Sequence, residues 1–187
     1  MIKTTVTTML LLSVAGTTYA DSFDINLHDD AVQMVYGTPV GDEARGMDGE
    51  LGVLYTDDSG NSDLLAHAGF LVSGQSRNGH QTFRIGLGSR LILADMDSHQ
   101  AGAFAFGGRM RFSPMERVGL GGDIWYAPDI TTFMDGDRMH EYSLRVDYQL
   151  LPHAFVYAGY RHVEIELEDA SEYELDSHSH LGMQLFF

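Results

Sequence analysis

The chain has 187 residues, a formal charge of −16 and no cysteine. That suits one domain with a core of its own and excludes a disulfide framework or a thiolate metal centre. So large an acidic surplus argues against nucleic acid or an anionic surface as an electrostatic partner, and Lys3 is the sole lysine, every other cation being arginine.

Residues 1–20, MIKTTVTTMLLLSVAGTTYA, carry one positive charge, an apolar run around Met9–Ala15, and small residues at Thr18 and Ala20. This reads as a cleaved secretory signal, leaving a single domain over 21–187. The competing reading, a retained anchor, needs a longer apolar run. No later stretch reaches the ~18 consecutive apolar residues of a helical span.

From residue 22 onward the period is two. Phe23, Ile25 and Leu27, then Val32, Met34 and Tyr36, predict a short hairpin over 22–28 and 30–37, followed by a turn at 38–46. Strands are predicted at 47–56, 63–73, 81–94, 100–112, 117–127, 139–150, 153–167 and 174–187. In the third of these eight, Phe83, Ile85, Leu87, Leu91 and Leu93 share one face, opposite Arg84, Gly86, Gly88 and Arg90. The next sets Phe104, Phe106, Met110 and Phe112 against Ala103, Ala105, Gly107, Arg109 and Arg111. Over 141–150, Tyr142, Leu144, Val146, Tyr148 and Leu150 oppose Glu141, Ser143, Arg145, Asp147 and Gln149.

Such strands suit either a soluble sandwich or a transmembrane barrel with its apolar face toward lipid. A polar face rich in glycine and arginine suits the inside of a narrow cylinder, where space is short. Trp125, Tyr126, Tyr148, Tyr157 and Tyr160 near strand ends are expected to form aromatic girdles. Short proline-bearing turns at 113–117 and 151–153 alternate with longer acidic loops at 56–63, 94–100, 127–139 and 168–177. The expected fold is therefore all-β: an antiparallel transmembrane β-barrel of ten strands, or eight without the first hairpin. Short turns would be periplasmic and long loops extracellular. In 163–176, Val163, Ile165 and Leu167 alternate with Glu164, Glu166 and Glu168, as in a strand pair rising into water.

On the lumen faces, Arg84, Arg90, Arg109, Arg111, Arg145 and Arg161 meet Glu50, Asp123, Glu141 and Asp147. They are either a packed ladder of ion pairs or the lining of a solute path. Among nine histidines, His178 and His180 share a strand face and, with His67 or His162, have the chemistry to hold a divalent metal. The alternative is a polar surface role. DSHSH (176–180) also offers a serine beside imidazoles, but adjacent strand residues point apart, so a cross-strand base such as His162 is required. MDGDRM and DDSGNSD lack the glutamate that ends a calcium loop. No catalytic residue, metal ligand or cofactor is assigned, and the expectation is a protein that is not an enzyme.

VGLGGDIWYAPD (118–129), EYSLRVDYQLLPHAFVYAGYRHVEIEL (141–167) and the final strand together resemble the YfaZ family of proteobacterial outer-membrane proteins. The matching features are Gly122 to Asp129, the turn proline Pro152, and Ala158-Gly159-Tyr160-Arg161. The resemblance implies a barrel in the outer membrane of a Gram-negative bacterium, among its lipids and lipopolysaccharide, and no defined activity. In the last stretch, HLGMQLFF, Leu181, Met183, Leu185 and Phe187 would face lipid while His180, Gly182, Gln184 and Phe186 face inward. His180, Gly182, Leu185 and Phe187 also resemble the C-terminal signal read by the barrel-assembly machinery. The expected role is structural or that of a narrow pore, the alternative being a lipid A-modifying enzyme of acyl hydrolase or transferase type.

Overall fold

The computed structural model describes residues 21–40, 46–58, 61–96, 99–167 and 171–187. The expected signal sequence lies outside the described residues, as does the middle of the predicted turn at 38–46.

Alternation becomes eleven described strands: β1 (Ser22–His28), β2 (Ala31–Pro39), β3 (Met47–Asp58), β4 (Asn61–Asn78), β5 (Gln81–Met96), β6 (His99–Met115), β7 (Val118–Ala127), β8 (Thr132–Met134), β9 (Gly136–Leu151), β10 (Ala154–Leu167) and β11 (Glu172–Phe186). Ten of them form a closed up-and-down barrel, since β5 pairs β6 and β11 returns to pair β1 in antiparallel register. Closure removes both sheet edges, which satisfies backbone groups that lipid cannot solvate. The first hairpin is integral: β1 is the strand that lets β11 close, with Phe23 opposite Leu185 and Leu27 opposite Leu181. Both described chain ends therefore lie at one end of the barrel, tied by the Phe187 N–H to the Asp21 carbonyl at 2.9 Å. The turn between β4 and β5 lies at this end too. Gly79 takes φ 59° there, the positive value a II′ hairpin needs at its first turn residue.

The far end departs from expectation. Three of the four long acidic loops are mostly strand: β3 continues to Asp58, β5 to Met96, β6 begins at His99 and β11 at Glu172. Asp95 stands between Ala94 and Met96, and Glu172 and Glu174 flank Tyr173, so there the ladder extends past the lipid boundary instead of breaking into coil. The stretch 127–139 does contain a loop, with a 3-10 turn over Asp129–Thr131. It then re-forms as β8, which pairs Thr132–Met134 with Ala101–Ala103 of β6 and so extends the line of β7.

Facing follows the pleat. Leu51, Leu87, Phe106, Ile124, Leu144 and Leu181 are exposed on the outside, at 60%, 68%, 52%, 62%, 66% and 69%. A contiguous apolar girdle of this extent belongs in lipid. Toward the far end the polarity of the two faces inverts. On β10, Arg161 is inside, but beyond it Val163, Ile165 and Leu167 are buried inside while His162, Glu164 and Glu166 turn outward. That inversion marks where lipid gives way to water, and above it the barrel packs like a soluble protein.

Candidate functional site: a layered lumen

The barrel interior has three layers. The far layer is apolar: Leu54, Leu65, Ile92, Met96, Trp125, Met139, Val163, Ile165, Leu167 and Leu175 form one buried cluster with alanines of β5, β6 and β7 between them. Large and small residues interdigitate across the narrow cylinder, which is how an interior is filled without voids. Trp125 was expected in a girdle, yet it is 1% exposed and points inward. Its place in β7 explains this: Asp123, Trp125 and Ala127 share the inward parity, whereas Tyr126 and Ile124 face lipid. Tyr157, also expected in a girdle, likewise points inward; Tyr126 and Tyr148 are exposed outside as expected.

The middle layer is a belt of paired charges. Arg90 is 2% exposed and lies between two carboxylates. Its Nε donates to Glu50 and its Nη1 lies 3.3 Å from Glu141 Oε2, while the guanidinium plane stacks 3.9 Å from the centroid of the Trp125 ring. Glu50 also holds Arg109 at 3.2 Å, and Arg109 reaches Asp123 at 3.9 Å. Arg145 bridges Asp24 at 3.0 Å and Gln184 at 3.1 Å. Arg161 donates to Asp176 at 2.6 Å, Asn26 at 3.0 Å and Gln33 at 2.6 Å. Pairing of this kind is what makes buried charge tolerable, because a lone ion in this interior would carry its full desolvation cost. The belt encloses a cavity of about 90 Å³ among its side chains. His67 Nε2 and His180 Nδ1 are buried beside it with no hydrogen-bond partner among the described residues, so the space suits a few bridging waters.

The third layer is a vestibule of about 430 Å³ at the end where the termini lie. Arg84 pairs with Asp48 at 2.9 Å and Arg111 forms a two-pronged pair with Asp147, its Nε at 3.1 Å. The carboxylate of Asp147 is buried and the guanidinium is partly open to the cavity, as it is for Arg109 over Glu50. The vestibule wall therefore presents guanidinium edges.

All nine residues expected in the lumen charge network face inward and are brought together: Arg84, Arg90, Arg109, Arg111, Asp123, Glu141, Arg145, Asp147 and Arg161. Sequence reasoning missed Asp24, Asp48 and Asp176. The first two lie on the inward parity of β1 and β3, a signal that was present. Asp176 was not legible: a register shift opposite Val163 and Glu164 turns both Leu175 and Asp176 inward.

The histidine groupings rearrange. His178 stacks on His28, with ring centroids 4.7 Å apart, and lies 3.2 Å from Asp176, whereas His180 points deeper, edge-on to Tyr157. His67 lies 3.9 Å from Glu50 within the belt. The grouping of His178 and His180 with His67 or His162 is thus not assembled. Ser179 is opposite Tyr160 in register, and the serine that meets an imidazole is Ser177, whose Oγ lies 3.2 Å from His162 Nδ1.

In the final strand Leu181, Met183 and Phe187 are exposed outside, while Gln184 reaches Arg145 inside. Gly182 has a structural reason of its own. A Cβ there would lie 2.2 Å from the Tyr157 ring, so the glycine is the seat for that ring. Gly52 seats the His67 ring in the same way, also at 2.2 Å.

A closed barrel with a lipid-facing apolar girdle and a polar belt inside defines a transmembrane β-barrel protein. A family model described as YfaZ precursor matches residues 1–187, and the chain belongs to that family. A search of curated proteins finds no match. Among solved structures, the chain is similar to the KdgM porin at 9% identity and TM-score 0.42, covering 90% of this chain and 99% of that one. It is also similar to the NanC porin, at 10% identity and TM-score 0.36, with coverage of 90% and 97%. The outer membrane channel DcaP of Acinetobacter baumannii matches at 9% identity and TM-score 0.41, covering 88% of this chain. The chain spans about half of that channel, 54%, and 56% of OmpT of Vibrio cholerae.

Proposed function

We propose that the protein is an outer-membrane barrel with a sealed interior, a structural component of the membrane and neither an open pore nor an enzyme. The observation that carries this is the far layer: a buried apolar plug centred on Trp125, Ile92, Met96 and Met139 sits directly above a belt of paired charges. A solute path needs a continuous polar lining, and here the lining stops at the belt. The vestibule is then a blind, periplasmic recess, with the acidic far end outside the cell among lipopolysaccharide. On this reading the pairs between Arg90, Arg109, Arg161 and their carboxylates hold the barrel shut and the strands in register. His180, Gly182, Leu185 and Phe187 serve the barrel-assembly machinery as an insertion signal. Purified protein reconstituted in planar bilayers is expected to give no conductance steps across salts and voltages. Steady unitary steps would overturn the sealed lumen.

One observation favours a second reading, a lipid A-modifying enzyme. On the outer face at the water boundary, Ser177 Oγ lies 3.2 Å from His162 Nδ1, and His162 Nε2 lies 3.3 Å from Glu164. Serine, base and acid stand in order, as nucleophilic acyl transfer requires. An enzyme of this type changes the mass of lipid A in cells that express it, and Ser177→Ala restores the original mass. An unchanged lipid profile removes this reading.

A further inference from the structure

We infer that His140, His162 and Glu164 form a binding site for a divalent transition-metal ion of the zinc class on the outer face of the barrel, just beyond the lipid girdle. The site follows from register. Glu164 of β10 is directly opposite His140 of β9, and His162 lies two residues before Glu164, so all three side chains leave the same face of adjacent strands. One ligand atom from each lies within 4.8 Å of the others. Glu164 Oε1 is 3.3 Å from His140 Nε2, and Oε2 is 3.3 Å from His162 Nε2. A tetrahedral ion with ligand bonds of about 2.0–2.1 Å separates its ligands by about 3.3–3.4 Å. The two imidazoles now meet different oxygens of Glu164, so seating an ion takes a turn of the carboxylate that brings one oxygen toward both rings, together with rotation of His140, whose side chain is the most exposed of the three.

Two further features point to an ion and not simply to hydrogen bonding. His162 presents Nε2 to Glu164 while its Nδ1 faces Ser177 at 3.2 Å and Glu174 at 3.6 Å. A metal-ligating imidazole takes this arrangement: the outer carboxylate or hydroxyl fixes ring orientation and frees the other nitrogen for the ion. The charge environment agrees. The carboxylates of the lumen belt are each held by arginine, but among the described residues the ion pairs of Glu164 are with two imidazoles. A divalent ion supplies the missing positive charge. Two histidines and one carboxylate leave a fourth position open to water or to an outside ligand, the composition of an open zinc site and unlike the all-oxygen shells of calcium or magnesium. Tyr142 packs under the site with its ring 4.9 Å from His162, which sets the ion at the level of lipid headgroups.

This assignment does not depend on whether the lumen conducts, and it gives His140 a role that the hydrolase reading does not. The test is calorimetric titration of Zn²⁺ into the detergent-solubilised full chain, with heat-modifiable gel migration as the check that each variant is folded. Wild type is expected to bind one ion per chain at this site. His162→Ala should lose at least a hundredfold in affinity, and His140→Ala, which is more exposed, provides the same readout if the first variant does not fold. Glu174→Gln should weaken binding about 10–100-fold through ring orientation alone. His178→Ala should leave the binding unchanged. Equal affinity in wild type and in His140→Ala would overturn the proposal. So would loss of binding in His178→Ala alone, which would place the ion at the His28–Asp176–His178 cluster.

Discussion

Arg90→Met tests the lumen belt most directly. The substitution keeps an apolar stem and removes the guanidinium that Glu50 and Glu141 share, both of them buried. Glu50 retains Arg109 at 3.2 Å, but Glu141 loses the partner of its only ion pair among the described residues. Stranding a buried charge in this way costs about 3–5 kcal/mol, within which the lost stacking on Trp125 contributes about 0.5–2 kcal/mol. At about 1.4 kcal/mol per tenfold, the folding equilibrium falls by roughly two to three and a half orders of magnitude. Trp125 is the only tryptophan in the chain, so its emission during urea unfolding in lipid vesicles reports on the site itself. The double variant Arg90→Met/Glu141→Gln removes the stranded charge along with its partner and should recover part of the loss, with a coupling of about 0.5–3 kcal/mol. If the single variant lies within about 0.5 kcal/mol of wild type, or the two substitutions simply add, the belt is not holding the barrel together and the reasoning fails.

Three more expectations follow from the same interior. Met139→Ala removes a filler of the apolar plug and should cost about 2–5 kcal/mol by the same titration, since the surrounding strands cannot collapse around the void. Gly182→Ala drives a methyl into the Tyr157 ring, whose hydroxyl donates to Asp24, and should cost about 1–3 kcal/mol in refolding with no assembly machinery present. A normal midpoint would show that Tyr157 has room to move. Loss of Phe187 should behave in the opposite way. Its side chain is exposed outside the barrel, so refolding in vitro is expected to be near normal while insertion in cells declines. Equal insertion of the truncated and full chains would remove the signal role of the last strand.

The outer surface was the most legible part of the molecule. Leu87, Leu144 and Leu181 could be placed on the lipid face from parity alone, because the side-chain period of a strand is fixed at two and does not depend on what lies across the sheet. Parity likewise predicted the inward set of arginines and carboxylates. It failed at two kinds of place. At strand ends, acidic residues read as loop formers, but Asp57 and Asp95 continue the ladder because their neighbours Thr56 and Met96 bury inside. At Asp176 a register shift broke the period itself.

What the sequence determined by itself is the architecture: an even number of alternating strands, their short turns, and the sign of each face within the membrane. These are local properties, set by period and by turn chemistry. Tertiary structure alone decided which partners meet. No spacing in the chain foretells that Arg90 stacks on Trp125 or that Tyr157 rests on Gly182, because those contacts join strands through the curvature of a closed cylinder. Closure and strand register also decided that the apolar residues inside the far end meet in one cluster around Trp125, and that His162 meets Ser177 in place of Ser179. One-dimensional periodicity says which side of the wall a residue occupies. Only closing the wall on itself says what it faces there.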